Sequence, residues 1–324
     1  MLRKKKILIT SGGFLTDTYR ESGVLGCVRK ISAALKMYLP VMLMGRRTNK
    51  SVGAYFDLMT DDARMFYSDS FHFGYFKTGQ ENFAEALDNH TDLVVDMANI
   101  KSGQHVLDVG CGICAPAIRI AARHNCRITG VNISAEQVKQ GRELVENHGL
   151  TDRITVMKGN ALKPPFNASM FDSALCIEVA GDICVTKNQK FQLADELFRV
   201  LKPGGRVGFS DLVFTGRPTH EEERVMRAIL YHDGAELVTD WPHIFEQSGF
   251  SVTRRMDIIE QTMKTWHHSL MIYEKNAAEV ERRYGKAIAK RTMGYLRHIP
   301  EILHKYGSFI VMSAEKKTHP IETP

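Results

Sequence analysis

Two carboxylates, a glycine turn and a crowd of aromatic rings are the parts of this chain whose types and spacing can do chemistry. The glycine turn lies in VLDVGCGICAPA, residues 106–117, where an apolar run ends in Asp108 and then Gly110-Cys111-Gly112. Glycines at such a place let the backbone turn tightly and let a ligand approach its N–H groups. A helix opening just beyond, near Pro116, adds free N–H groups and partial positive charge. The same stretch contains Cys111-x-x-Cys114, the spacing of a redox pair or half of a metal site. A redox or metal role would leave the acid, the apolar run and the second glycine unexplained, and no second cysteine pair completes a zinc site. The cysteines are therefore occupants of a ligand-binding turn, and no metal is expected. A dinucleotide turn would need a third glycine, which Pro116-Ala117 do not supply.

The carboxylates are Glu178 and Asp182, in CIEVAGD just after another apolar run. Placed there they can face a developing cation or accept a proton, or they can cap a helix. His232, next to Asp233, is a further candidate base, with a surface histidine as the plainer alternative. Eight rings fall between residues 55 and 76, among them Tyr55, Phe56, Tyr67 and Phe71, with His72 between Phe71 and Phe73. Core packing accounts for part of such a cluster. A lid over a bound ligand accounts for its position ahead of the first strand. Trp266 is a candidate pocket wall. His267 and His268 beside it diverge on a helix and make a poor metal pair.

The elements that must position these groups follow from periodicity. Short β-rich runs at 105–109, 127–133, 153–160, 171–177 and 206–214 alternate with helical patterns at 116–124, 135–148 and 187–201, after a polar helix near 81–99. This alternation calls for a parallel sheet covered on both faces, an α/β fold whose ligands bind beyond the carboxyl ends of the strands. Ser134-Ala-Glu-Gln137 reads as a capping box, and Lys202-Pro-Gly-Gly205 as a helix stop and turn. Three segments are expected: a basic arm over 1–54, an aromatic lid and helix over 55–100, and a ligand-binding domain over 101–324 with helical insertions at about 215–245 and 262–304.

The totals are those of a soluble protein, with 324 residues, 44 % hydrophobic, 25 % charged and a net charge of +6. No apolar run is long enough to span a bilayer and no secretion signal is visible. Six sparse cysteines suit a reduced, cytoplasmic protein, and a homo-oligomer is open. The first fifty residues hold eleven Lys/Arg against two acids. Such an arm suits an anionic ligand or surface, or it only aids solubility. A nucleic-acid role would call for aromatic and basic residues interleaved as in an RNA module, which is absent.

Taken in order, VLDVGCG, GVNIS, GNALKPPF, FDSALCIEV and LKPGGRV resemble the class I S-adenosylmethionine-dependent methyltransferases. SFHFGYFKTGQENFAEALDNH upstream is similar to the opening of the sterol and isoprenoid C-methyltransferases, with cyclopropane fatty-acid synthases somewhat further off. The resemblance implies a Rossmann-like sheet of seven strands, mostly parallel, with YGSFIVMSAEK inserted antiparallel, an N-terminal helical lid and S-adenosylmethionine as cofactor. It implies that Tyr67 and Ser68 touch the methionine part, and that Asp108, Gly110, Cys111 and Gly112 cradle the cofactor. Asn132 and Gln137 would sit by the ribose, Asn160 and Ala161 by the adenine, with Ile177 beside them. Glu178 would stand where the sterol enzymes carry an active-site glutamate. Tyr55, Phe56, Phe71, His72, Trp266 and Arg46 would meet a hydrophobic small-molecule substrate.

Three departures from the family pattern stand out: Cys114 replaces a frequent glycine, and Asn132 and Asn160 replace frequent carboxylates. Amides still hydrogen-bond hydroxyls and adenine.

The expected activity is C-methylation of an isoprenoid double bond through a carbocation, possible cyclisation included. Arg282, Arg283, Lys286, Lys290, Arg291 and Arg297, together with Arg46, Arg47 and Lys50, could bind a diphosphate, or they form a solvated face. A prenyl diphosphate is thus favoured over a sterol. N- or O-methylation of a small natural product is the alternative.

Overall fold

The computed structural model describes residues 49–184, 186–229 and 239–318; the helical pattern at 24–35, Arg46, Arg47 and His232 lie outside these ranges. Two helices, α1 (Asn49–Tyr67) and α2 (Phe83–Ala98), precede the sheet. There follow β1 (His105–Val109), α3 (Ala115–His124), β2 (Arg127–Asn132), α4 (Ala135–Asn147), β3 (Ile154–Lys158), β4 (Phe171–Ile177), α5 (Ala180–Ile183), α6 (Lys187–Val200) and β5 (Leu201–Phe214). The chain continues through α7 (His220–Ile229), α8 (Trp241–Gln247), β6 (Phe250–Asp257), α9 (Ile259–Thr262), α10 (Lys264–Lys275), α11 (Ala277–Tyr284), α12 (Lys286–Tyr306) and β7 (Gly307–Lys316).

The seven strands lie in the order β3-β2-β1-β4-β5-β7-β6, and only β7 runs against its neighbours. This is the sheet that the resemblance implied. Val109 pairs with Val131 on one side and Cys176 on the other, so β1, β2 and β4 end level with one another. Their carboxyl ends therefore form one edge. Alternation along β1 sends Val106 to a core shared with Val94 of α2 and Ile118 of α3, and Leu107 to the opposite core with Leu193 of α6 and Trp241 of α8. Burying both faces is what the apolar runs required.

Local signals differ from expectation at three places. Ser134 accepts from the Gln137 N–H as an N-cap, but the Gln137 carboxamide turns to Asn132 and does not close the box. Reciprocal boxes form instead at Asn82 with Glu85 and at Thr186 with Gln189. The Lys202-Pro-Gly-Gly205 stretch is an irregularity inside β5, because Leu201 already pairs with Phe171 before Arg206 pairs with Ser173. Finally α1 runs through the expected boundary at 54/55, so the aromatic segment begins on a helix that starts at Asn49.

Candidate active site

At the end of β1 the chain turns through Gly110, with φ +66°. A Cβ there would lie 2.4 Å from the Val179 side chain, so the turn tolerates no side chain. The Gly110 N–H donates to the Val131 carbonyl at 2.8 Å and ties the turn to β2. Gly112 follows at φ +54° and Cys114 at +71° before α3 begins. Cys111 and Cys114 are both buried, and the neighbouring Cys114 thiol together with burial pushes Cys111 well above the usual thiol range. Such a thiol is no nucleophile.

Beyond this edge lies a cavity of about 610 Å³, its open mouth included. Gly110, Gly112, Asn132 and Gln137 form one wall; Asn160, Ala161 and Ile177 form another. Asn132 accepts from the Ser134 N–H at 3.0 Å and donates to the Gln137 side chain at 2.7 Å and to the Gly112 carbonyl at 3.3 Å. The amide thus ties the glycine turn to the start of α4, work that a carboxylate, which only accepts, does not do. Beneath the turn Asp108 is buried with its Oδ2 unpartnered, and burial raises its carboxyl to about 7. A side-chain-free turn, an orphaned acceptor and an amide pair fit a cofactor that carries an ammonium group, hydroxyls and a base.

Phe56 of α1, Phe71, Glu178 and Asp182 also line the cavity, and Phe71 lies against the glycine turn at Gly112. Glu178 follows β4 at φ +52°, a left-handed conformation unusual for a side-chain-bearing residue. Its own N–H donates to the Ser210 carbonyl at 2.8 Å, and its Oε1 accepts from the Phe73 N–H at 2.6 Å. Its side chain is 12 % exposed; burial drives the carboxyl well above the usual range, and Asp211 and Asp182 push in the same direction. Behind it, His90 of α2 and His72 complete a buried cluster.

Several expected site residues lie elsewhere. Tyr55 is buried edge-to-face against Phe56, outside the cavity lining. His72 is buried behind Phe73, hydrogen-bonded to the Phe73 carbonyl and to Thr91. Trp266 is buried with its ring edge-to-face on Phe73, 5.1 Å between centroids, and stands in the core and not on the cavity. Ser68 is an exposed residue at φ +55° just past α1. Of the basic residues on the outer helices, Arg282 pairs with Glu279 and Arg297 with Glu274, while Lys286, Lys290 and Arg291 are exposed. None of them lines the cavity.

Sequence reading missed His90, Phe73 and Ser210. His90 had a signal: it falls on the stripe Ala86, Leu87, Val94, Met97 of α2, all buried, where a histidine needs partners.

The profile of the family described as mycolic acid cyclopropane synthetase matches residues 46–308. The (+)-O-methylkolavelool synthase of Herpetosiphon aurantiacus is 25 % identical over 82 % of this chain and 93 % of its own length. The 24-methylenesterol C-methyltransferase 3 of Arabidopsis thaliana is 30 % identical over 68 % of this chain and 61 % of its own. Among solved structures, the cyclopropane synthase MmaA2 from Mycobacterium tuberculosis matches with a TM-score of 0.75 at 17 % identity, covering 83 % of this chain and 99 % of that one. The geranyl diphosphate C-methyltransferase from Streptomyces coelicolor A3(2) matches with a TM-score of 0.60 at 15 % identity, covering 83 % and 97 %. At those identities the structural likeness speaks for the fold. With the family profile running through the glycine turn, the first six strands and the outer helices alike, the chain belongs to the mycolic acid cyclopropane synthetase family and is an S-adenosylmethionine-dependent methyltransferase.

Proposed function

We propose that this enzyme methylates a carbon–carbon double bond of an isoprenoid substrate. The observation that carries this reading is the lining of the cavity: two aromatic rings, Phe56 and Phe71, together with Glu178 and Asp182, the only titratable side chains among the described lining residues. When bound, S-adenosylmethionine supplies an electrophilic methyl group; Gly110, Gly112, Asn132 and Gln137 would hold it on one wall and Asn160 and Ala161 on the other. An alkene that takes up that methyl with its π pair, as the methyl–sulfur bond breaks and its electron pair stays on sulfur, becomes a carbocation. Aromatic faces and a carboxylate stabilise such a charge, and loss of a neighbouring proton to a base restores a double bond. Glu178 suits both tasks. Burial, with Asp211 and Asp182 beside it, raises its carboxyl well above the usual range, and positive charge brought beside it favours the ionised form. The proton then passes to its carboxylate, and the rings make the lining apolar where water would otherwise trap the cation as an alcohol.

The isoprenoid assignment draws support from kinship with a sterol C-methyltransferase. A diphosphate head group finds no cationic side chain among the described lining residues. The second reading, O-methylation of a small natural product, is favoured by kinship with (+)-O-methylkolavelool synthase. One assay separates them. The enzyme is incubated with methyl-deuterated S-adenosylmethionine and farnesyl diphosphate, farnesol and lanosterol, and products are analysed by mass spectrometry. A labelled carbon–methyl bond in any of the three is the expected result; a labelled ether would replace this reading with the second.

A further inference from the structure

The cluster of His72, His90 and Glu178 has the composition of a metal site, yet its hydrogen bonds assign it other work. His72 Nδ1 lies 3.0 Å and His90 Nδ1 2.7 Å from the same Phe73 carbonyl oxygen. A carbonyl only accepts, so both Nδ1 atoms carry their protons. The Nε2 atoms are then acceptors, His72 from the Thr91 hydroxyl at 3.2 Å and His90 from the Ser210 hydroxyl at 3.0 Å. All four ring nitrogens are occupied in neutral rings, which leaves no lone pair for a cation. Full burial agrees, holding the histidines down to about 4 and about 3.

These bonds close a ring through four elements. Glu178 N–H donates to the Ser210 carbonyl on β5; the Ser210 hydroxyl donates to His90 on α2; His90 donates to the Phe73 carbonyl; and the Phe73 N–H donates to the Glu178 carboxylate. Phe73 is pinned further. The next N–H, of Gly74, donates to Thr265, and a Cβ on Gly74 would lie 2.8 Å from that of Ala86. The strained φ of Glu178 needs such a surround, since an unfavourable backbone persists only where its neighbours over-determine it.

We propose that His90 is a positioning residue: a neutral imidazole, set by Ser210, that fixes the Phe73 backbone, stands with its Nδ1 3.4 Å from Glu178 Oε1, and so aims the Glu178 carboxylate at the cavity. This rests on the reading of Glu178 as the group that faces the cation. His90 itself neither touches substrate nor takes up the proton.

The test compares His90→Asn, which keeps a donor at the Nδ1 position, with His90→Gln, whose amide reaches the Nε2 position. Ser210→Ala is the milder variant. With deuterated S-adenosylmethionine and the three acceptors above, His90→Gln is expected to lose roughly tenfold in kcat and His90→Asn less than about threefold. The affinity for S-adenosylhomocysteine is expected to stay within about twofold for both, with the pH profile unchanged from about pH 5 to 8. In a Glu178→Gln background, His90→Gln is expected to cost nothing more. Full activity in His90→Gln, or an equal loss in both variants together with the loss of a limb of the pH profile, would overturn the positioning role. Full activity in Glu178→Gln alone would instead overturn the reading of Glu178. A second measurement uses the protein with no acceptor. Amide hydrogen exchange at Phe73 is expected to be slow in the wild type and His90→Asn and at least about tenfold faster in His90→Gln and Ser210→Ala. Unchanged protection in both fast variants sinks the proposal.

Discussion

Glu178 and Gly110 are the two residues whose backbones hold the site in shape, and each makes a separate expectation. If Glu178 faces a developing cation, Glu178→Gln keeps the acceptor for the Phe73 N–H and removes the charge. The loss then falls on kcat, by about a hundredfold to a thousandfold, while S-adenosylhomocysteine binds as before. An O-methyltransferase that only aligns its substrate would keep most of its activity, so steady-state kinetics on the variant discriminate. Gly110→Ala strikes the cradle instead. Its Cβ would meet Val179 at 2.4 Å and sit at φ +66°, so we expect a loss of about 1–3 kcal/mol in stability, read by urea unfolding, and at least about tenfold in cofactor affinity by calorimetry. Unchanged cofactor affinity in a folded variant would remove the turn from the cofactor site. Both residues were legible in the sequence because each follows an apolar run, and the ends of parallel strands are where ligands bind. His90 and Ser210 were not read as site residues. Their roles depend on partners 17 to 120 positions away, and no local spacing announces them.

Helix α1 shows how an element is set over a site by another element's unsatisfied end. Asp57 accepts from the Ser134 hydroxyl at 2.6 Å and from the Glu136 N–H at 3.0 Å, so a carboxylate from α1 caps the N-terminus of α4. Negative charge there is favoured by the free N–H groups and the helix dipole. One turn on, Asp61 accepts from Gln140, which in turn accepts from Arg64. Phe56, beside Asp57, lines the cavity. Asp57→Ala should therefore loosen α1 over the site. It is expected to weaken S-adenosylhomocysteine binding about threefold to tenfold, for about 1 kcal/mol of stability. Wild-type affinity in that variant would mean that α1 does not depend on this contact. At this scale the strands and the helices between them were readable from periodicity, since an apolar run between turn signals admits few alternatives. The early start of β5 was not: it is fixed by pairing with Phe171 across the sheet, and not by composition.

Across the whole molecule, the site leaves the protein with buried carboxyls of raised pKa set against buried histidines of lowered pKa. Burial takes Asp108 to about 7, Asp211 to about 8 and Glu178 well above its usual range. In the unfolded chain these carboxyls have released their protons by about pH 5. Between about pH 6.5 and 8 the native state therefore binds more protons than the unfolded state, and stability falls as pH rises. Below about pH 6.5 the sign reverses for His72 and His90. The unfolded chain protonates them there, while the native rings stay neutral down to about 4 and about 3, so the histidines partly offset the carboxyls below about pH 6.5. Three carboxyls outweigh two histidines, so the cofactor-free enzyme should lose stability as pH rises from about pH 6 to 8, shallowly at first and more steeply above about pH 6.5, by at least roughly 2 kcal/mol as measured by urea midpoints. Asp211→Asn keeps an acceptor for the Gly181 N–H, which the native carboxylate takes at 2.7 Å, and removes one of the titrations. It is expected to flatten the alkaline limb and to stabilise the protein at pH 8 by roughly 1 kcal/mol, leaving pH 5 little changed. A midpoint that climbs between pH 6.5 and 8, or an alkaline limb that Asp211→Asn leaves as steep as before, would mean that these carboxyls are ionised in the native state. Glu178 in the cavity lining would then carry its negative charge before any cofactor arrives.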